Sequence, residues 1–404
     1  MANLAIDFCG IKAPNPFWLS SSPVSNCGEM VARAFEAGWG GVVWKSLVLV
    51  EDKPLVNVTP RLASIDFEEK KLVGLMNIEL ATDRPLSVNL TEMKEIKRRF
   101  PDRALVASIM AQAEKEPWQE LARRVEAVGV DGLELNFSCP HGMPEMGMGK
   151  AIGQIPELVE KITGWVKAVA KTPVIVKLTP DVSDITLPAR AAKKGGADAL
   201  AAINTIASII GVDLDTLVPR PFVAGRSAMG GFSGPAVKPI ALRCVAQMAM
   251  DRQIGLPISG MGGLSTWQDA AEFILLGSTS VQVTTAIMKS GYRIVEDLID
   301  GLSNWMDEKG FKTVQEIVGR SLQYFSAVES LSRQYRVVSS VDHGTCEKCD
   351  LCYIACLDGG HQAIALDPKR LPIVDEKKCT GCGLCCLVCP VWNCVRMKQV
   401  GTGA

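Results

Sequence analysis

Two runs of cysteine carry the most specific chemistry in this sequence. Residues 346–356 read CEKCDLCYIAC, with the spacing C-x2-C-x2-C-x3-C, and residues 379–389, CTGCGLCCLVC, repeat it. Three thiolates at this pitch can wrap one [4Fe–4S] cubane, and in two-cluster modules the fourth ligand comes from the other run. The spacing assigns one cluster to Cys346, Cys349, Cys352 and Cys389, and a second to Cys379, Cys382, Cys385 and Cys356. Zinc is the competing metal, but it takes four ligands, usually as two separated C-x2-C pairs. A third cysteine at the same pitch, duplicated in a second run, favours clusters. The first run departs from the pattern only in Leu357, where the second has Pro390. Cys386 and Cys394 fit neither set and read as buried, inert thiols. Two clusters in one small module make an electron relay, so the chain reads as a redox protein.

A second set of chemical groups is spread over the first three quarters of the chain, at the ends of short apolar runs. It comprises Ser20 and Ser21, Lys45, Asn136, Lys177, Asn204 and Thr205, Gly262, and Thr284 and Thr285. A lysine at a strand end is expensive to bury unless it faces an anion or an acceptor, which singles out Lys45 and Lys177. Asparagines usually belong to turns or caps; Asn136 and Asn204 stand at strand ends, which favours a site. Clusters pass single electrons while most organic substrates react by two, and a flavin does both. The glycines and hydroxyls of GGFSG (230–234), GMGG (260–263) and VTTA (283–286) suit a flavin phosphate. No G-x-G-x-x-G opens a strand–turn–helix, so a dinucleotide-binding domain is not expected.

The elements that must position these groups are eight apolar runs: 17–22, 41–46, 104–110, 132–138, 174–180, 199–205, 256–262 and 280–286. Amphipathic segments such as WQELARRVEAVG (118–129) and PELVEKITGWVKAVA (156–170) separate most of them. Buried runs alternating with helices imply parallel strands joined by crossovers. Eight such units predict a (β/α)8 TIM barrel, whose C-terminal strand ends gather the active site; an open doubly wound sheet is the alternative. The expected organisation is an α/β chain with a barrel over 1–310, a helical connector over 311–340 and a ferredoxin-like two-cluster domain over 341–404. With 43 basic and 44 acidic residues and no charge block, neither nucleic acid nor a membrane surface is an expected partner. The N-terminus lacks a basic start and apolar h-region, and no run is long enough to span a bilayer. A cytoplasmic protein is expected, where dense cysteines serve metal or redox chemistry rather than disulfides.

Through NPFWLSSSP, VVWKS, NIE, NFSCPHGM, VKLTP, AINT, GGFSG, SGMGG and QVTTA, residues 1–340 resemble the FMN barrels of the dihydroorotate/dihydropyrimidine dehydrogenase family. With the cysteine module added, the whole chain resembles the bacterial two-subunit type within that family. The resemblance implies that Ser20, Ser21, Lys45, Ser46, Lys177, Gly234, Gly262, Gly263, Thr284 and Thr285 contact FMN. It implies that Asn77, Glu79, Asn136, Ser138, Asn204 and Thr205 surround a pyrimidine, whose alternating N–H and C=O groups suit carboxamides. Trp18, Thr284 and the segment HGMPEMGMGK (141–150), with its Pro144, depart from the family pattern and bear on substrate detail.

The implied reaction is reversible reduction of the C5–C6 double bond of uracil or thymine, with Cys139 as the proton donor. A thiol near its reference pKa of about 8.5 is mostly protonated at neutral pH and can donate. The segment after Cys139 would close over the site, and His141 reads as a loop histidine. Electrons would come from NADH through an FAD/iron–sulfur partner subunit in a hetero-oligomer. Two alternatives stand beside this: a dihydroorotate-type or other cyclic-alkene reductase, and an electron carrier whose barrel is structural.

Overall fold

In the computed structural model the described residues are 2–49, 55–67, 71–140 and 147–402. The chain divides into two compact units, residues 1–324 and 325–404.

The first unit is built on eight parallel strands that close into a barrel: β1 (Phe17–Leu19), β2 (Gly41–Leu47), β3 (Ala104–Ile109), β4 (Gly132–Asn136), β5 (Val174–Lys177), β6 (Ala199–Ala202), β7 (Ile258–Met261) and β8 (Ser278–Val283). Every one falls on an expected apolar run, and consecutive strands are neighbours all the way round, β8 pairing with β1. The barrel expectation holds and the open sheet does not. The helices outside follow from period-3.6 patterning. Helix Lys115–Glu126 buries Trp118, Leu121, Ala122 and Val125, and helix Pro156–Lys167 buries Val159, Ile162, Thr163 and Val166. An N-terminal hairpin, Ile6–Phe8 with Ile11–Ala13, places Phe8 edge-on to Trp18 with ring centroids 5.5 Å apart. Trp18 also occupies the space above Gly41, where a Cβ would sit 2.8 Å from the indole. It is a core residue of the barrel and does not line the cleft described below, so its departure from the family pattern does not reach the substrate directly.

Two excursions interrupt the β/α alternation that the apolar runs predict. Residues between β2 and β3 supply strands Leu62–Phe67 and Lys71–Asn77, and residues between β6 and β7 supply Ile206–Ser208 and Gly230–Ser233. They pair as one antiparallel four-stranded sheet. The GGFS stretch, expected as a phosphate loop, is therefore mostly a sheet strand, and only Gly234 after it turns, at φ +95°.

The expected helical connector over 311–340 is not a helix. Its described residues form three short 3-10 turns, at Val314–Glu316, Leu322–Tyr324 and Val328–Ser330, and a strand, Tyr335–Val341. Val314 and Ile317 are fully buried in the barrel unit's core. No longer apolar stripe follows them to sustain an α-helix, so 311–324 belong with the barrel unit. In the second unit, Tyr335–Val341 pairs with Val395–Thr402, Ile364–Leu366 pairs with Pro372–Val374, and helices Leu351–Gly359 and Leu384–Val388 carry the third cysteine of each run, Cys352 and Cys385, in their first turns. Among the described residues, no helix is long and apolar enough to cross a membrane.

Candidate active site

The strand ends converge on one cleft. Ser20 and Ser21 after β1, Lys45 and Ser46 in β2, Asn136 closing β4, and Lys177 closing β5 all line it. Asn204 and Thr205 after β6, Gly262 and Gly263 after β7, and Thr284 and Thr285 at β8 complete the ring. Cys139 enters from the loop after β4, Asn77 and Glu79 from the end of a capping strand, and Gly234 from the strand beside it. The cleft has an empty volume of about 1130 Å³ with its mouth included, room for a cofactor-sized ligand. Ser138 is the one expected site residue that does not line it. It is fully buried behind the wall, where its hydroxyl donates to Asn136 Oδ1 and accepts from Asn204 Nδ2, both at 2.9 Å. Ser138 thus orients two carboxamides, and Asn204 Oδ1 is fixed further by the N–H of Thr205 at 2.8 Å.

Ser46 is a second hub: Asn136 Nδ2 donates to its Oγ at 2.8 Å, while Ser108 and Ser21 lie at 2.9 and 3.1 Å. A side chain with this many fixed partners is held in one rotamer, so the polar wall is organised before any ligand arrives.

The two buried lysines find their anions within the protein. Lys45 forms an ion pair with Glu79, which Arg61 also approaches at 3.3 Å. Lys177 Nζ lies 3.7 Å from Glu134 Oε1, with the two side chains 3% and 0% exposed. Glu134 Oε1 has no hydrogen-bond partner among the described residues, while Oε2 accepts from Gln282 Nε2 at 3.4 Å. Gln282 in turn accepts from Ser20 at 3.1 Å and donates to Ser259 at 3.1 Å. Sequence reasoning placed the anions on a ligand and missed Glu134, Gln282 and Arg61. For the first two a signal existed, a long polar side chain flanked by apolar residues inside a strand run, Leu133-Glu134-Leu135 and Val281-Gln282-Val283. Arg61 arrives on the capping sheet and gave none.

At the β7–β8 side the cleft is floored by backbone. Gly262 and Gly263 have φ of +122° and +77°, and a Cβ on Gly263 would meet Gly234 O and Lys238 N at 2.8 Å. Thr284 Oγ1 donates to Ser22 and Thr285 Oγ1 to Ser233, at 3.1 and 3.0 Å. The loop is anchored from behind, where Lys238 binds Asp269 at 2.6 Å and Glu272 at 2.8 Å. Burial opposes ionisation of Asp269, but the bonds from Lys238 and from the backbone N–H groups of Ser265 and Thr266 outweigh it and hold its carboxyl below the usual range. Cys139 is nearly buried among Val48, Ala81, Met110 and Met148. His141, Pro144 and the rest of 141–146, where a closing segment was expected, lie outside the described residues.

The cysteine unit holds two thiol-lined cavities. One is walled by Cys346, Cys349, Cys352 and Cys389, the other by Cys356, Cys379, Cys382 and Cys385. Each cavity therefore takes three thiols from one run and one from the other. The backbone N–H of Ser339 points at Cys379 Sγ and that of Ala363 at Cys356 Sγ, at 3.4 and 3.3 Å, the kind of donor that stabilises a thiolate. Among the described residues, no group of three or more Cys, His, Asp or Glu gathers closely enough for a single metal ion. Cys394, expected as an unrelated buried thiol, lines the first cavity, where its thiol donates to Asp342 O at 3.5 Å.

The family model of dihydroorotate dehydrogenase matches residues 3–306, the barrel and its strand-end cleft together. The chain belongs to the dihydroorotate dehydrogenase family. A second family model, the 4Fe-4S dicluster domain, matches residues 339–397 and covers both cysteine runs. Over 401 residues the chain is 46% identical to the NAD-dependent dihydropyrimidine dehydrogenase subunit PreA of Escherichia coli (strain K12), covering 98% of this chain and 96% of that one. It is 44% identical over 347 residues to the chloroplastic dihydropyrimidine dehydrogenase (NADP(+)) of Arabidopsis thaliana, covering 83% and 80%. With the catalytic subunit of dihydroorotate dehydrogenase B (NAD(+)) from Pyrococcus abyssi the identity is 38% over 320 residues, covering 79% of this chain and 99% of that one. A solved structure of DHODH from Eimeria tenella in complex with ferulenol has the same fold, with a TM-score of 0.63 at 20% identity over 79% of this chain and 88% of that one. This member of the family is an enzyme, an oxidoreductase of the dihydroorotate and dihydropyrimidine dehydrogenase kind, with a 4Fe-4S dicluster domain.

Proposed function

We propose that the chain reduces the C5–C6 double bond of uracil or thymine, reversibly, with FMN in the barrel cleft. In this reading two [4Fe–4S] clusters bring electrons from an NADH-oxidising FAD/iron–sulfur partner subunit. The observation that carries the substrate is the Asn136–Ser138–Asn204 chain beside Cys139, which presents fixed carboxamides and one thiol to the same space. A pyrimidine edge alternates donors and acceptors, and a carboxamide answers both. The matched lengths support the choice within the family. The protein named as a dihydropyrimidine dehydrogenase subunit aligns over nearly the whole chain, cysteine unit included, whereas 99% of the dihydroorotate dehydrogenase B catalytic subunit aligns to only 79% of it.

The residues fit FMN. The bare backbone at Gly234, Gly262 and Gly263, with the Thr284 and Thr285 hydroxyls, suits a phosphate. Lys45 and Lys177 line the cleft as buried cations that would favour negative charge on a reduced flavin, and Ser20, Ser21 and Ser46 would offer it hydroxyls. When bound, FMN would supply hydride transfer to C6 of the pyrimidine and one-electron exchange with the clusters. Asn77, Asn136, Asn204 and Thr205 hold the ring, with Glu79 fixed by Lys45 at its edge. Cys139 transfers its thiol proton to C5 and regains one from solvent. The apolar residues around Cys139 limit water at that face. In the cysteine unit the two thiol sets named above would each hold one cluster, through Cys346, Cys349, Cys352 and Cys389 and through Cys379, Cys382, Cys385 and Cys356.

The purified chain alone should show no appreciable NADH-dependent uracil reduction, and robust turnover without a partner would remove the partner from the scheme. Cys139→Ala should retain FMN and lose turnover; normal turnover in that variant would remove the thiol from the mechanism.

A further inference from the structure

Asp181 lies outside the cleft, in the loop after β5, yet three segments that build the cleft meet on it. Both of its carboxylate oxygens accept from the backbone N–H of Ala207, at 3.2 and 3.3 Å. Ala207 is in the strand Ile206–Ser208, directly after Asn204 and Thr205. The same carboxylate lies 3.6 Å from Lys150 Nζ, and the Asp181 carbonyl accepts from Gln154 Nε2 at 2.7 Å. Asp181 is itself held by a bond from its N–H to Thr179 Oγ1 at 3.1 Å.

The short helix Lys150–Gly153 is in turn seated flush on the cysteine segment. The N–H of Lys150 donates to the carbonyl of Cys139 at 3.1 Å. Gly149, at φ +59°, leaves no room for a side chain, since a Cβ would lie 2.7 Å from Cys139 O and 2.9 Å from Cys139 Cβ. A Cβ on Gly153 would fall 1.9 Å from Phe137 O. Two glycines at bare-backbone contact leave the helix little freedom to shift unless residues 137–139 shift with it. The carboxylate and carbonyl of Asp181 therefore brace the Cys139 segment against the Asn204–Thr205 segment from outside the cleft, beside the direct Ser138–Asn204 bond.

We propose that Asp181 is a positioning residue, which sets the separation between the thiol of Cys139 and the ring held by Asn204 and Thr205. Its consequence for turnover rests on the proposed role of Cys139 as proton donor; its consequence for the placement of Cys139 does not. Proton transfer to carbon is sensitive to misplacement, and an error of about 1 Å costs up to about 100-fold.

The test compares Asp181→Ala and Asp181→Asn with the wild-type chain, each reconstituted with FMN, clusters and its electron-donating partner. Asp181→Ala should lower kcat by about 10- to 100-fold while KM for uracil and FMN content stay near wild type. Asp181→Asn keeps an acceptor for Ala207 but not the ion pair with Lys150, and should fall between them. Separately, iodoacetamide labelling of Cys139, followed by peptide mass spectrometry, should run several-fold faster in Asp181→Ala as the clamp loosens. A wild-type labelling rate at Cys139 in Asp181→Ala would overturn the proposal, whatever happens to kcat. Faster labelling with unchanged kcat would uphold the positioning and contradict the proton-donor role instead, a failure that Cys139→Ala reveals independently by retaining turnover.

Discussion

Lys177 and Glu134 form a charge pair buried beneath the cleft. The two atoms are 3.7 Å apart and both side chains are almost wholly out of solvent. At an effective dielectric near 20, their attraction is about 4.5 kcal/mol. Lys177→Met removes the cation and leaves a carboxylate with no exposed surface, one oxygen unpartnered and the other held only by a long bond from Gln282. Breaking a buried pair from one side costs about 3–5 kcal/mol, whereas removing both charges together is often close to neutral. The double variant Glu134→Gln/Lys177→Met should therefore recover most of the stability that Lys177→Met loses. Denaturant unfolding of flavin-free protein, followed by tryptophan fluorescence, reads this out. Seven of the eight tryptophans precede residue 325, so the signal reports chiefly on the barrel unit. A double variant as unstable as Lys177→Met would mean that the stranded charge is not the source of the loss.

Gly263→Ala should abolish FMN retention in a chain that still folds, since its Cβ would push the Gly234 and Lys238 backbone aside; the flavin-to-protein ratio after gel filtration checks it. Asp269, whose carboxyl is held below its usual range, stabilises the fold above the ordinary carboxylate pKa, and that contribution fades as pH falls through the lowered value. Asp269→Asn should thus be less stable than wild type at neutral pH, with the gap narrowing below about pH 4; melts across pH measure it. Cys352→Ala and Cys385→Ala should each lose one cluster and keep the other, while Cys386→Ala keeps both, as iron and sulfide analysis with electron paramagnetic resonance would show.

The barrel was legible because its strands are buried on both faces, and a run such as ALVASI or GLELN carries that burial in its composition. The cleft was legible for a related reason: polar residues ending such runs have no packing role there. Glu134 and Gln282 could have been read in the same way, as polar groups inside the runs, but their meaning depends on Lys177 and Ser20 lying opposite, which strand spacing does not give. The capping sheet was not legible. Its strands come from two distant excursions, and Gly230–Ser233 looks like a turn until it pairs with Lys71–Asn77. The stretch 311–324 misled because its few apolar residues resemble one helical turn, while their partners are the barrel's own core. The cysteine unit was the most legible of all, since ligand spacing along the chain is itself the geometric requirement, although the place of Cys394 in a cavity wall required the fold.

In the proposed reaction this cleft passes electrons from a bound flavin to a pyrimidine. Anaerobic reduction of the chain with a chemical reductant, followed by mixing with uracil, thymine, orotate or an unrelated cyclic enone, tests it directly through the flavin absorbance. Flavin reoxidation by uracil or thymine should be rapid, with formation of the 5,6-dihydropyrimidine, and reoxidation by the others slow. Rapid reoxidation by orotate alone, or a purified chain that binds no flavin, would contradict the proposed reaction.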